Sequence, residues 1–423
     1  MKRIYSSAVI LAGCALLVNA EYEHDHSEQQ HLIEQLNPQL GVVIDSIYYH
    51  ENSGEGITHV KEELSGFGHG HGHEEHDHGQ QAGFNLREVE IYLSGELDDH
   101  LRAEATLAFT AEDSELETAF VETTSLPWGI SLKGGKFFSD FGIINAQHPH
   151  QWDFADQPLI YELALGDHGL NEVGVQAAWT LDSPLQLTAG VEALQGQNER
   201  MFAYEGEDPL SSHDGPRAGI AWVKAGPDLG HDHGLHFGAS FGSGQHQEIH
   251  EEGSGTNNYL DGMSWFFGAD ALYQYSAHGE HGQGDFTLQA EYFYRNKNLD
   301  LEASDDPGAA LGDDLDSSQD GYYVQALYGI LPHFRGGLRW EQVGLTNEGK
   351  EPGEARETFG DSWRIAAMLD FSPSAKSLIR VQASNGDYDT ADGTENVWEA
   401  YVQLVITLGA HRHKGGYLCS GRH

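Results

Sequence analysis

Ten of the 26 histidines fall between residues 24 and 78, and the densest run is His69-Gly70-His71-Gly72-His73-Glu74-Glu75-His76-Asp77-His78. Imidazoles and carboxylates offer lone pairs, and glycines let them converge, so the run suits Zn²⁺, Ni²⁺ or Cu²⁺. Smaller groups recur at His24, His26 and His31, at His231 and His233, at His278 and His281, and at His411 and His413. Flexible clusters hold an ion loosely, which suits passing it on more than locking it. The expectation is therefore a divalent metal as ligand or cargo, with no tightly bound cofactor. The competing reading is a solvated low-complexity linker.

A second chemical constellation is the segment from Ser139 to His168. It carries Phe141, Ile143, Ile144, Trp152, Phe154, Leu159, Ile160 and Tyr161, too many apolar side chains for a solvent loop. Such a segment should pack inward. His148, His150, Trp152, Asp153 and Asp156 are its candidate constriction residues. No Lys or Arg occurs between Lys136 and Arg200, a stretch with nine Asp or Glu. An acidic narrowing favours cations. The alternative is a loop that covers the mouth for stability alone. Gly360-Asp361-Ser362 faintly resembles a lipase-type nucleophile turn, but Ser362 opens a strand and lacks the flanking glycine elbow, so no enzyme is expected.

Charge and composition bound the classes. The chain carries 67 acidic against 22 basic residues, a net charge of −45, which argues against a nucleic-acid partner. Two cysteines exclude a disulfide scaffold. Lys2 and Arg3, the apolar stretch from Ala8 to Val18, and Val18-Asn19-Ala20 form an export signal over residues 1–20. Leu11-Ala12-Gly13-Cys14 is a competing lipoprotein-type box, with lipidation at Cys14. Residues 21–38 read as a short His-containing periplasmic segment and 409–423 as a C-terminal tail.

The elements that must position these residues are strands. From Gln39 onward the chain alternates with period two. In Asp285 to Arg295, Phe286, Leu288, Ala290, Tyr292 and Tyr294 share one face, and Thr287, Gln289, Glu291 and Arg295 the other. Sixteen such runs lie between residues 39 and 408, joined by connections that alternate between short and long, with 111–114 the one exception. The long ones are 50–83, 139–168, 194–214, 244–262, 297–320, 345–361 and 384–395. A bilayer admits only structures that pair every backbone group internally. An even number of antiparallel strands with apolar outer faces, short turns at one end and long loops at the other defines a transmembrane barrel. The fold class is thus all-β: a porin-like antiparallel barrel of about 16 strands, with the third loop folded inward. A large periplasmic β-protein is the alternative. Outer-membrane lipid and lipopolysaccharide are the surrounding partners. Parity places Glu88, Glu90, Arg102, Glu104, Glu291, Arg295, Arg335, Arg339, Glu341, Arg364, Asp370, Arg380 and Glu399 inward. A barrel this wide can hold a hydrated pore, with Arg295, Arg339, Arg364 and Arg380 among its lining. A plugged lumen satisfied by ion pairs is the alternative.

Two stretches carry a family resemblance: Gly83 to Phe109, and Gly135 to Trp179 with the core GKFFSDFGIINAQHPHQWDFADQPL. They resemble bacterial outer-membrane proteins related to the phosphate-selective porins, a group often labelled zinc-regulated outer-membrane receptors. The resemblance implies an outer-membrane channel linked to divalent-metal supply, with a homotrimer as its assembly. The third loop lacks the basic residues of a phosphate channel. Residues 21–38 are too short for the plug domain of an energised receptor. The leading expectation is a channel for divalent cations, zinc foremost, with the His-rich outer loop capturing the ion. A general diffusion porin and a barrel-anchored metal buffer are the alternatives.

Overall fold

The computed structural model describes residues 39–54, 56–67, 81–124, 126–206, 208–252 and 255–409. The strands are β1 (Gln39–Glu51), β2 (Gly83–Glu96), β3 (Leu101–Phe109), β4 (Ser114–Thr123), β5 (Ile130–Phe138), β6 (Asn171–Leu181), β7 (Leu187–Leu194) and β8 (Ala218–Ala225). They continue as β9 (His233–Glu252), β10 (Thr256–Tyr275), β11 (Phe286–Ser304), β12 (Asp314–Leu331), β13 (Phe334–Lys350), β14 (Ser362–Ser374), β15 (Ser377–Thr390) and β16 (Gly393–Gly409). Each pairs antiparallel with its chain neighbour, and β16 pairs with β1 from Gly41↔Gly409 to Glu51↔Glu399. The sheet is therefore closed, which removes both edges. The sixteen runs of alternation correspond one to one with these strands.

The upper strand ends depart from the expectation. Residues 244–262, 297–320, 345–361 and 384–395 were expected as long loops. Most of them are paired strand instead, and the β9–β10 and β15–β16 connections shrink to 253–255 and 391–392. The two-residue strand Glu357–Thr358 adds to the β13 ladder there. The reason is chemical. Up to Tyr294, β11 sends Leu288, Tyr292 and Tyr294 outward. Beyond it Asn298, Asp300 and Glu302 face out, while Leu299 and Leu301 turn in and pack with Leu260 and Leu315. The lipid face has ended, but the ladder continues into water. Twenty residues of β9 span about 65 Å, against about 42 Å for a strand tilted 45° across the hydrocarbon.

The outer face carries the apolar belt. Val175, Val191, Phe237, Phe241, Leu338, Val381, Trp398 and Val402 are exposed there. The inner core is not made by strands alone. Helix α1 (Ile57–Glu62) in the first loop and helix α2 (Leu159–Leu165) in the third both enter the lumen. Ile57, Val60, Leu64 and Phe67 join the α2 residues in one buried cluster. The described part of the first loop thus packs inside the lumen, and its His-rich run, expected on the outer side, lies outside the described residues.

Candidate pore constriction and its ligand cluster

The third loop folds inward because it has nowhere else to bury its side chains. All of α2 except Glu162 is buried, as befits a helix that is apolar all round. Gly166 takes φ +79° and ends it. Phe141 packs on Phe266 and Phe293 of the wall, with ring centroids 4.8 and 6.1 Å away.

The wall grips the loop's backbone. Arg295, Arg339, Arg364 and Arg380 donate to the carbonyls of Leu163 (3.3 Å), Asp156 (3.0 Å), Gln157 (2.8 Å) and Trp152 (2.9 Å) in turn. Each arginine is at most 2% exposed. Parity placed these four correctly on the inner face, but they meet protein, not open water. Glu291 of β11 does the complementary work. Its carboxylate accepts from the backbone of Ile143 (2.8 Å) and Ile144 (3.0 Å), from the Tyr161 hydroxyl (2.6 Å) and from Tyr323.

The loop's acids are largely paired. Asp153 contacts Arg335 at 2.7 Å, and Asp156 contacts Arg339 at 2.7 Å and Arg364 at 2.9 Å. Burial works against the Asp156 charge, yet the two guanidinium groups hold its carboxyl well below the usual range. Lys61 of α1 meets Glu162 of α2 at 2.7 Å, so the first loop is tied to the third. The expected acidic narrowing is thus neutralised at Asp153 and Asp156, whose charge anchors the loop.

His148 caps the short turn Pro149–Gln151 and His150 lies within it, which brings their rings to 5.7 Å between centroids. They face three glutamates of the wall. Glu88 and Glu90 lie two apart on β2 and so share the inner face. Glu117 comes from β4, where the register passes from Thr106↔Thr118 to Leu107↔Leu116. Glu117 is the extra residue of that bulge and is turned inward by it. His148 Nδ1 lies 2.8 Å from Glu117 and 3.5 Å from Glu90; His150 Nδ1 lies 2.8 Å from Glu90 and 3.7 Å from Glu88. Burial opposes charge on both rings. The Glu117 and Glu90 carboxylates nevertheless hold His148 well above the usual imidazole range, and Glu88 and Glu90 push His150 up to about 9.

At the short-turn end, a cavity of about 1350 Å³ reaches the loop. Asp140, His150, Trp152 and Asp153 line it from the loop, and Lys224, His236, Arg335 and Arg380 from the wall. Of the other candidate ligands, His231 is exposed, and His233 lies tilted against Tyr275, 5.1 Å between ring centroids, with its Nδ1 2.8 Å from the Tyr273 hydroxyl. Among the described residues these two join no group of three convergent ligands. His24, His26, His69, His71, His73, His76 and His78 lie outside the described residues, as do the export signal and residues 21–38. Glu117 was missed from sequence because a bulge breaks the parity that would reveal it. Glu88 and Glu90 were placed inward without being joined to the histidines.

A closed sixteen-stranded barrel with an apolar belt and an inward third loop is a porin-type outer-membrane channel. Residues 66–353 match the family model described as phosphate-selective porin O and P, most of the chain, and the chain belongs to that family. A protein of Aquifex aeolicus (strain VF5), described as uncharacterized, is 31% identical over 338 residues, covering 78% of this chain and 70% of that one. Among solved structures, the outer-membrane channel DcaP of Acinetobacter baumannii superposes with a TM-score of 0.52 at 13% identity, covering 88% of this chain and 97% of that chain. Outer-membrane-expressed OmpT of Vibrio cholerae gives 0.51 at 11%, with the same coverage. At such identities the likeness shows the fold alone.

Proposed function

We propose that this porin takes up divalent metal cations, with zinc as the leading cargo and the His-rich first loop as the capture segment. The observation that carries the reading is the acidic collar above the membrane. Eight Asp or Glu and no Lys or Arg occur from residue 298 to 334, and the β11 and β12 extensions hold Asp300, Glu302, Asp314 and Asp316 beyond the lipid face; Lys350 and Arg356 pair with the last two, which leaves the acids in excess. A surface of one sign raises the local concentration of the opposite ion and speeds its arrival. The histidines add nitrogen donors, which favour transition metals over Mg²⁺ and Ca²⁺.

Planar-bilayer recording of the purified protein tests this. A salt gradient should give a reversal potential of cation-selective sign, and added Zn²⁺ should alter the current. A second reading comes from Lys224 and Arg335 on the inner cavity, together with the family's name: an anion channel. An anion-selective reversal potential would replace the first reading with that one. Permeability to small sugars that is indifferent to Zn²⁺ would instead mark a general diffusion porin.

A further inference from the structure

We infer that His148, His150, Glu88, Glu90 and Glu117 form an internal binding site for a divalent first-row transition-metal ion such as Zn²⁺, at the seam between the constriction loop and the barrel wall. The inference deepens the uptake reading, and it rests on that reading only for the site's place on a transport path.

Two sets of three ligand atoms, from Glu88, Glu90 and His150 and from Glu90, Glu117 and His148, each lie within 4.8 Å of one another. In a tetrahedral zinc site with bonds of about 2.0–2.1 Å, neighbouring ligand atoms are about 3.4 Å apart. The observed separations from His150 Nδ1, 2.8 Å to Glu90 and 3.7 Å to Glu88, bracket that edge. Small side-chain movements would seat an ion among them. Glu90 belongs to both sets and can bridge a second ion.

An independent observation points the same way. Glu88 is 7% exposed, and its buried Oε1 has no hydrogen-bond partner among the described residues. An orphaned carboxylate oxygen is costly to bury, and this one is aimed at His150. The bulge on β4 adds Glu117 to the same point, the kind of re-aiming that bulges supply beside functional sites. Imidazole with carboxylate suits zinc, manganese, iron, cobalt or nickel, and thiolate-demanding ions are disfavoured. His150 also lines the inner cavity, so an ion can arrive from that side.

The site would pin the loop as well as bind the ion. One ligand pair comes from the loop and three ligands come from β2 and β4, so the ion would add a further bridge between loop and wall.

The test uses the full chain in detergent with the outer run silenced by H69N, H71N, H73N, H76N and H78N. Zn²⁺ is titrated against a chromophoric chelator. At least one equivalent should be held, and adding either H150N or E88Q should weaken it at least tenfold. Affinity within twofold of the parent in both variants would overturn the site. Heat-modified gel migration checks that each barrel is folded. A gain-of-signal variant guards against a folding artefact: folded His150→Cys loaded with Co²⁺ should show a thiolate-to-metal charge-transfer band, and its absence would equally overturn the site. Zn²⁺ retention with anion-selective currents would sink the uptake reading and leave the site standing. Cation-selective currents without Zn²⁺ retention would do the reverse.

Discussion

Arg339 of β13 holds Asp156 of the constriction loop at two points: one nitrogen lies 2.7 Å from its carboxylate and another donates to its carbonyl at 3.0 Å. Fixing side chain and backbone of one residue together removes the loop's freedom to slide. Buried ion pairs add little net stability, because desolvation offsets the attraction, but removing one partner leaves an uncompensated charge. Asp156→Asn should therefore cost about 3–5 kcal/mol locally. The barrel should persist while the loop loosens. Hydrogen exchange across residues 152–165 should quicken, and single-channel recordings should grow noisier.

The same pair fixes a pH dependence. The Asp156 carboxyl is held well below its ordinary value by Arg339 and Arg364. Its contribution is thus complete above the unfolded value near 3.8 and is lost only as pH falls through the lower folded value. Conductance should stay flat, as far as this group is concerned, from neutrality to about pH 4, and change only below. A transition of the wild-type loop between pH 4 and 5 that Asp156→Asn abolishes would contradict the assignment.

Glu291 gives a second lever on the loop. As a carboxylate it only accepts, and it faces donors from Ile143, Ile144, Tyr161 and Tyr323. Glu291→Gln keeps the shape but turns an amide N–H toward those donors, which should cost about 1–3 kcal/mol. Gly142 sits beside it at φ +61°, and a Cβ there would run into the Tyr161 hydroxyl and the Glu291 carboxylate. Gly142→Ala should therefore mimic Glu291→Gln. Denaturant unfolding in detergent measures both, and a wild-type midpoint for either would show that these contacts do not hold the loop.

Much of this architecture is legible in the sequence for an identifiable reason. Alternation locates all sixteen strands because lipid and lumen impose opposite polarity on successive residues. It loses their upper ends at Asn298 and Asp300, where water replaces lipid and the outward face turns polar while pairing continues. The inward third loop is legible from its apolar content. The inward first loop is not, although Ile57, Val60 and Leu64 recur at helical spacing, since six residues of helix are too few to stand out beside the neighbouring polar run. The ligand cluster is half legible. Glu88 and Glu90 follow parity, but Glu117 depends on a bulge and the histidines on a loop path that no period encodes.

The change of face along the strands predicts two unequal outcomes. Val402 of β16 is opposite Val381 of β15, and both are exposed on the apolar belt. Val402→Arg should cost about 2–4 kcal/mol, as charge does near the bilayer midplane, and reduce the amount of folded barrel in the outer membrane. Asp300→Arg, also outward but on the β11 extension, should be tolerated within about 0.5 kcal/mol. Heat-modifiable migration of membrane fractions compares them. Equal losses would mean the lipid boundary lies higher than Tyr294.

Capture by the His-rich run makes the last prediction. The chain enters this segment from Phe67, which is 2% exposed in the inner cluster, and leaves it into β2 at Gly83. Both ends are thus fixed to the barrel, and any ion held by His69, His71, His73, His76 or His78 stays within one short tether of the mouth. The gain is one of local concentration, so it matters only when the bulk ion is scarce. Deleting residues 69–78 should lower Zn²⁺ uptake by cells at limiting zinc, leave uptake unchanged at abundant zinc, and leave barrel assembly intact. Because neither Phe67 nor Gly83 is removed, a folding defect is not expected. Equal uptake by the deletion and the parent under zinc limitation would show that the run serves another purpose.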